Sequence, residues 1–204
     1  MTRTIDTQTE LDDALSLGEN VEFIPGADSD LTIGQGQAQV HGPGTLTAVN
    51  DGSVSASGDI CITSVTGGTV YAVEQATIEE VTGGNVTAFD QSMIATVNGG
   101  HVTARNEAMI STVNGGYVVA EDQATITTVT GGTVHAIDNV TVAAVSGDAR
   151  IVARGIAHVI IEAGADGVCV HAYDAAHISA DNGTITVHSP DVTVTGDAII
   201  NKEY

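Results

Sequence analysis

The chain has 204 residues, of which 42% are apolar but only 3% aromatic, with no Trp. A core is therefore affordable only in Val, Ile and Ala, which suit thin layers better than a bulky centre. Five basic residues face 26 acidic ones, a net charge of -21, which excludes direct binding to nucleic acid or to anionic membrane. Cations or a basic protein remain as electrostatic partners, and solubility alone is a sufficient reason for the charge.

The N-terminus, MTRTIDTQTELDD, has no apolar stretch of the signal-peptide kind, and no run approaches a membrane span. The expected location is cytoplasmic, or within a virus particle assembled inside a cell. Thr7 or Thr9 can start a helix, with Glu10, Asp12 and Asp13 suiting its first turn. Leu11, Ala14, Leu15 and Leu17 give that helix an apolar side, and Gly18 ends it. VEFI, closed by Pro25, is the expected first strand. Residues 1–32 are thus expected to be a cap.

From Val65 the chain falls into rows of sixteen: VTGGTVYAVEQATIEE, VTGGNVTAFDQSMIAT, VNGGHVTARNEAMIST, VNGGYVVAEDQATITT and VTGGTVHAIDNVTVAA. Two earlier rows, from Ile33 and Val49, fit more loosely. After Val145 the period drifts, and VHAYDAAHI (170–178) rejoins the pattern after a net insertion of four. Within a row, Val70, Ala72, Ala76 and Ile78 recur while the residues between them vary. That alternation gives two short strands per row, with turns at the Gly-Gly pair and at the Glu/Asp-Gln pair.

An antiparallel meander and a parallel solenoid both accommodate such rows, and the columns choose between them. In a solenoid, equivalent residues of successive rows stack at about 4.8 Å. Gln75, Gln91, Glu107, Gln123 and Asn139 form nearly an amide ladder, and Thr66, Thr82, Asn98, Asn114, Thr130 and Ser146 are all small and hydrogen-bonding. Arg105, between Phe89 and Glu121 in its column, is placed for a cation-π contact and an ion pair. The reading is all-β: a right-handed parallel β-solenoid over residues 33–194, with sixteen-residue coils of two strands and an N-terminal capping helix. The Gly-Gly pair then marks a sharp corner that requires positive φ or close backbone approach.

Residues 195–204 carry no helix comparable to the first. Either Ala198 to Ile200 folds over the last coil, or that edge pairs with another chain, a second copy being the obvious candidate.

The eight-residue unit, as in TVYAVEQA (69–76) and NVTAFDQS (85–92), resembles a group of short-repeat proteins of phages and actinobacteria. There, units of the form A-T-V-x-A-x-x-S run in tandem behind a short segment similar to TELDDAL (9–15). The resemblance runs from Thr7 to about His188. It implies a β-solenoid of unknown function and supplies no catalytic residue to carry over. The chain departs from the simplest members by alternating two kinds of half unit, only one beginning with Gly-Gly.

Candidate chemistry is sparse. The column Glu74, Asp90, Asn106, Asp122, Asp138 could hold a hard cation between coils, with Asp90, Asp122 and Asp138 as carboxylate ligands. The competing reading is that these residues satisfy backbone groups at a corner. His158 and His177 fall in one column and could share a metal, but no third ligand is evident. His101, His135 and His171 sit outward without acid partners in register. Carboxylates clustered in a loop-built groove, as a polysaccharide lyase or hydrolase needs, are missing. The expectation is therefore no enzyme, no catalytic residue and no cofactor.

Thr-x-Thr rows at Thr125/Thr127, Thr184/Thr186 and Thr193/Thr195 suggest ice or carbohydrate binding, but the columns also carry Tyr71, Met93 and His101. The net charge suggests a mimic of DNA that inhibits a DNA-binding protein. The leading expectation is a rigid, non-enzymatic structural or protein-binding solenoid, phage- or virion-related, with Tyr71, Phe89, Met93, Met109 and Tyr117 as the contact surface. Cys61 and Cys169 fall on opposite sheets about seven coils apart, so no disulfide within the chain is expected.

Overall fold

The structure, a computed structural model, describes residues 3–18, 20–26, 30–163, 165 and 167–204. It is a parallel β-solenoid of about eleven turns, with coils of about sixteen residues and one helix near the N-terminus. The chain divides into two compact units, Met1–Val102 and Thr103–Tyr204.

In the first unit, one sheet runs through Arg3–Ile5, Asn20–Pro25, Gln37–His41, Ser53–Ser57, Thr69–Ala72 and Asn85–Ala88, each strand parallel to the next. The second sheet runs through Thr32–Ile33, Gly44–Val49, Ile60–Val65, Thr77–Val81 and Met93–Val97. Successive strands of the chain alternate between the sheets. Pairing is by column: Val70 faces Val86 and Ile78 faces Ile94, each a step of sixteen.

The second unit repeats this from Met109–Val113 and Tyr117–Ala120 onward and finishes on Thr193–Thr195 in one sheet and Ile199–Lys202 in the other. Its spacing is uneven. Thr133 pairs with Arg150, Arg150 with Cys169 and Cys169 with Thr184, steps of 17, 19 and 15 residues. The inward column survives this drift, because Val134, Ile151, Val170 and Ile185 remain in register.

The core lies between the two sheets. In the coil from Val65, the side chains of Val65, Val70, Ala72, Ala76 and Ile78 are completely buried. Each buried Val or Ile contributes roughly 1.5–3 kcal/mol, and the Ala positions keep the sheets close. Ser92 takes the Ala place in one coil, and among the described residues its buried hydroxyl has no hydrogen-bond partner.

The Gly-Gly corner needs both glycines for different reasons. A Cβ on Gly83 would overlap the carbonyl oxygen of Thr66 in the preceding coil, while Gly84 has φ +76°, the left-handed region that favours glycine. Stacked side chains reinforce this corner: Thr66 donates to Asn50 Oδ1 at 2.7 Å in the first unit, and Thr130 donates to Asn114 Oδ1 at 2.8 Å in the second.

Helix α1 (Gln8–Ser16) starts at Thr7, whose hydroxyl accepts from the Glu10 amide while Glu10 reaches back to the Thr7 amide. Leu11, Ala14 and Leu15 are buried. Leu17, expected on the apolar side, is instead the C-cap and is 74% exposed. It lies two positions past Leu15, turned about 200° from it around the helix and so away from the Leu11, Ala14 and Leu15 stripe. A strand at Arg3–Ile5 precedes the helix and pairs parallel to Asn20–Pro25, so VEFI is not the first strand. Three residues are too few to show a period.

Candidate functional site

The acidic column occupies the second corner of each coil. Glu74, Asp90, Asn106, Asp122, Asp138 and Asp174 all have positive φ, between 55° and 65°. Asp and Asn tolerate this conformation better than most residues. Their carboxylates have backbone work to do. Glu74 accepts from the Gly58 amide at 2.9 Å, Asp122 from the Asn106 amide at 3.3 Å and Asp174 from the Gly155 amide at 3.1 Å. In each case the donor is the equivalent corner residue one coil earlier, so the column ties successive corners together.

His158 and His177 do lie side by side in register on neighbouring strands, and both are exposed. Among the described residues no three His, Cys, Asp or Glu side chains are arranged to hold a metal ion. No helix among them is long and apolar enough to cross a membrane.

The five apolar contact candidates do not share one face. In the first unit, Tyr71 points outward from one sheet, Met93 from the other, and half-buried Phe89 sits at the corner between them. In the second unit, Met109 and Tyr117 also lie on different sheets, and Tyr117 leans on His135 with ring centroids 5.1 Å apart. Arg105 makes its ion pair with Glu121 at 2.8 Å, a partly exposed contact worth at most about 1 kcal/mol. Cys61 and Cys169 are free thiols.

Apolar exposure is concentrated elsewhere. Inward positions of the last coil, Val194 and Ile200, are partly or largely open, and Ile199 is 67% exposed. Val194 and Ile200, with Val187, Pro190, Val192, Lys202 and Tyr204, line a cavity of about 210 Å³. Thr193–Thr195 and Ile199–Lys202 are the outermost strands of their sheets, so each presents a row of backbone donors and acceptors that no strand among the described residues pairs. Ala198 to Ile200 does not fold over the last coil; Ile199–Lys202 adds a further rung instead.

A polar cluster in the second unit was not anticipated. Arg154, Tyr173, His188 and Glu203 occupy successive levels of one corner column. The Arg154 guanidinium lies 4.4 Å from the Tyr173 ring centre, the Tyr173 and His188 rings stack at 4.3 Å, and His188 Nδ1 is 3.4 Å from Glu203 Oε2. His171 joins from the adjacent strand, its Nδ1 3.0 Å from His188 Nε2. Coils of uneven length put these residues in line, so a fixed sixteen-residue layout hides them.

No family of known proteins, no curated protein and no solved structure matches the chain.

Proposed function

We propose that this solenoid is a non-enzymatic structural or protein-binding element that works through the end formed by Thr193–Thr195 and Ile199–Lys202, pairing there with a second copy of itself. The observation that carries the reading is the coincidence, at one place, of exposed inward apolar residues and two outermost strands. Either feature alone is an aggregation hazard; together they are the two halves of a β-edge contact, backbone pairing plus a continued core.

A second copy fits because the edge is complementary to itself. A two-fold axis beside Ile199–Lys202 sets the two edges antiparallel, so each strand's donors meet the other's acceptors. Val194 and Ile200 of one copy then continue the Val and Ile core of the other. The remaining surface supports a binding role poorly, since Tyr71, Met93, Met109 and Tyr117 are split between faces.

The test is the mass of the purified chain by light scattering across a concentration series. A dimer that Ile200→Lys converts to monomer, with circular dichroism unchanged, is the expected result. A wild-type monomer at high micromolar concentration, or a dimer indifferent to Ile200→Lys, overturns the reading.

A further inference from the structure

Four side chains of the second unit stand in line, joined by two hydrogen bonds and one ion-pair contact. Cys169 Sγ lies 3.7 Å from His171 Nε2, His171 Nδ1 lies 3.0 Å from His188 Nε2, and His188 Nδ1 lies 3.4 Å from Glu203 Oε2. A single set of tautomers satisfies all three contacts. The thiol donates to Nε2 of His171, the Nδ1–H of His171 donates to Nε2 of His188, and Nδ1 of His188 is left on the side of the Glu203 carboxylate. A nucleophile thus has a base, and the base is oriented by a further group that ends on an anion, which is the logic of an activated nucleophile. The rings are also held in place. His188 stacks on the Tyr173 ring at 4.3 Å and 6°, and lies nearly parallel to His171, at 16° with ring centres 5.3 Å apart, so that the two imidazoles meet through their nitrogen edges.

We propose that Cys169 is a base-assisted nucleophilic thiol, a site of covalent modification by soft carbon electrophiles, with His171 as its general base and His188 and Glu203 as positioning residues. As the sulfur–carbon bond forms, the bond from that carbon to its leaving group breaks, and the leaving group departs with the electron pair. The thiol proton passes to Nε2 of His171. The imidazolium so formed is stabilised through His188 by the Glu203 carboxylate, and its extra proton is then lost to water.

The surroundings suit a neutral base. Burial holds His171 below the ordinary imidazole value, the positive charge of Arg150 on the neighbouring strand and then His188 add to this, and Glu203 pulls the other way. Cys61 is an internal control. It too is half-buried, but its neighbour is the Glu79 carboxylate at 3.7 Å, and burial, then the charge and hydrogen bond of Glu79, push this thiol up.

The experiment is alkylation of the whole chain by iodoacetamide, with the two cysteine peptides followed by mass spectrometry across pH 5 to 8. Cys169 is expected to react at least tenfold faster than Cys61 at pH 7, with an inflection in its rate in the imidazole range. His171→Ala should slow Cys169 about tenfold and leave Cys61 unchanged. Because that change opens space beside the thiol, a role in access alone predicts the opposite. Glu203→Gln, at an exposed side chain, should move the inflection to lower pH. Equal rates for the two wild-type cysteines overturn the proposal without any variant, as does a Cys169 rate that His171→Ala leaves alone or raises. An inflection that Glu203→Gln does not move overturns the relay through His188.

Discussion

At the N-terminal end, Leu11, Ala14 and Leu15 of α1 are buried, and the Gln8 side chain bonds the backbone of Thr32 twice, accepting from its amide and donating to its carbonyl, both at 2.8 Å. At the C-terminal end, Ile199 and Ile200 are 67% and 44% exposed and the outermost strands have no such partner among the described residues. The first arrangement meets both needs of a solenoid terminus. The helix covers the apolar interior, and one side-chain amide stands in for the missing strand at the edge of Thr32–Ile33. The second arrangement meets neither. What the contrast teaches is that the same thin Val and Ile core can be closed by nine residues of helix, so an exposed end is a place to look for a partner.

The largest expected effect breaks the closed end. Leu11→Ala removes a fully buried side chain and should cost about 3 kcal/mol, as deletions of this size in a core do. Ile200→Ala, at a position 44% exposed, should cost less than about 1 kcal/mol in the monomer. Urea denaturation of both variants measures the difference. Equal losses would mean that the C-terminal coil is covered as well as the first.

A smaller effect sharpens the same point. Thr7→Ala removes the hydroxyl that accepts from Glu10 and one side of the reciprocal cap. It should cost about 1 kcal/mol and appear as a lower melting temperature. Hydrogen exchange should locate the loss in α1 and in Thr32–Ile33, since Gln8 links the two.

Legibility followed the same divide. The regular coils were readable because each inward position repeats every sixteen residues, so Val70, Val86 and their successors identify one another. The helix was readable from Thr7, Glu10 and the Leu11, Ala14, Leu15 spacing. Leu17 was misplaced because composition cannot say which residue of an apolar run is the cap. The corner acids were legible as turn residues, yet the amides they serve, at Gly58, Asn106 and Gly155, lie one coil away and leave no local trace. The cluster of Cys169, His171, His188 and Glu203 was invisible for another reason. It depends on steps of 19 and 15 residues, and a layout at sixteen puts His188 out of line with Tyr173. Where selection has let the period slip, the sequence stops announcing which residues touch.

The smallest expected effect sits on the C-terminal side of the comparison and depends on pH. Burial, followed by Arg154 and Arg150, lowers His135, and burial followed by Arg150 lowers His171. Both imidazoles therefore bind a proton less readily in the folded chain than in the unfolded one. As pH falls through the ordinary imidazole value, about 6.5, the unfolded chain takes up protons first, and folding loses stability. The contribution is complete above that value and fades as the pH drops toward the lowered folded values. Urea midpoints at pH 7.5 and 5.5 should therefore fall, and the double variant His135→Gln, His171→Gln should narrow the fall. Because both residues lie in Thr103–Tyr204, amide exchange at pH 5.5 should rise in that unit more than in Met1–Val102. A fall of equal size in both units, unchanged in the double variant, would assign the pH dependence to the acids spread along the whole chain instead.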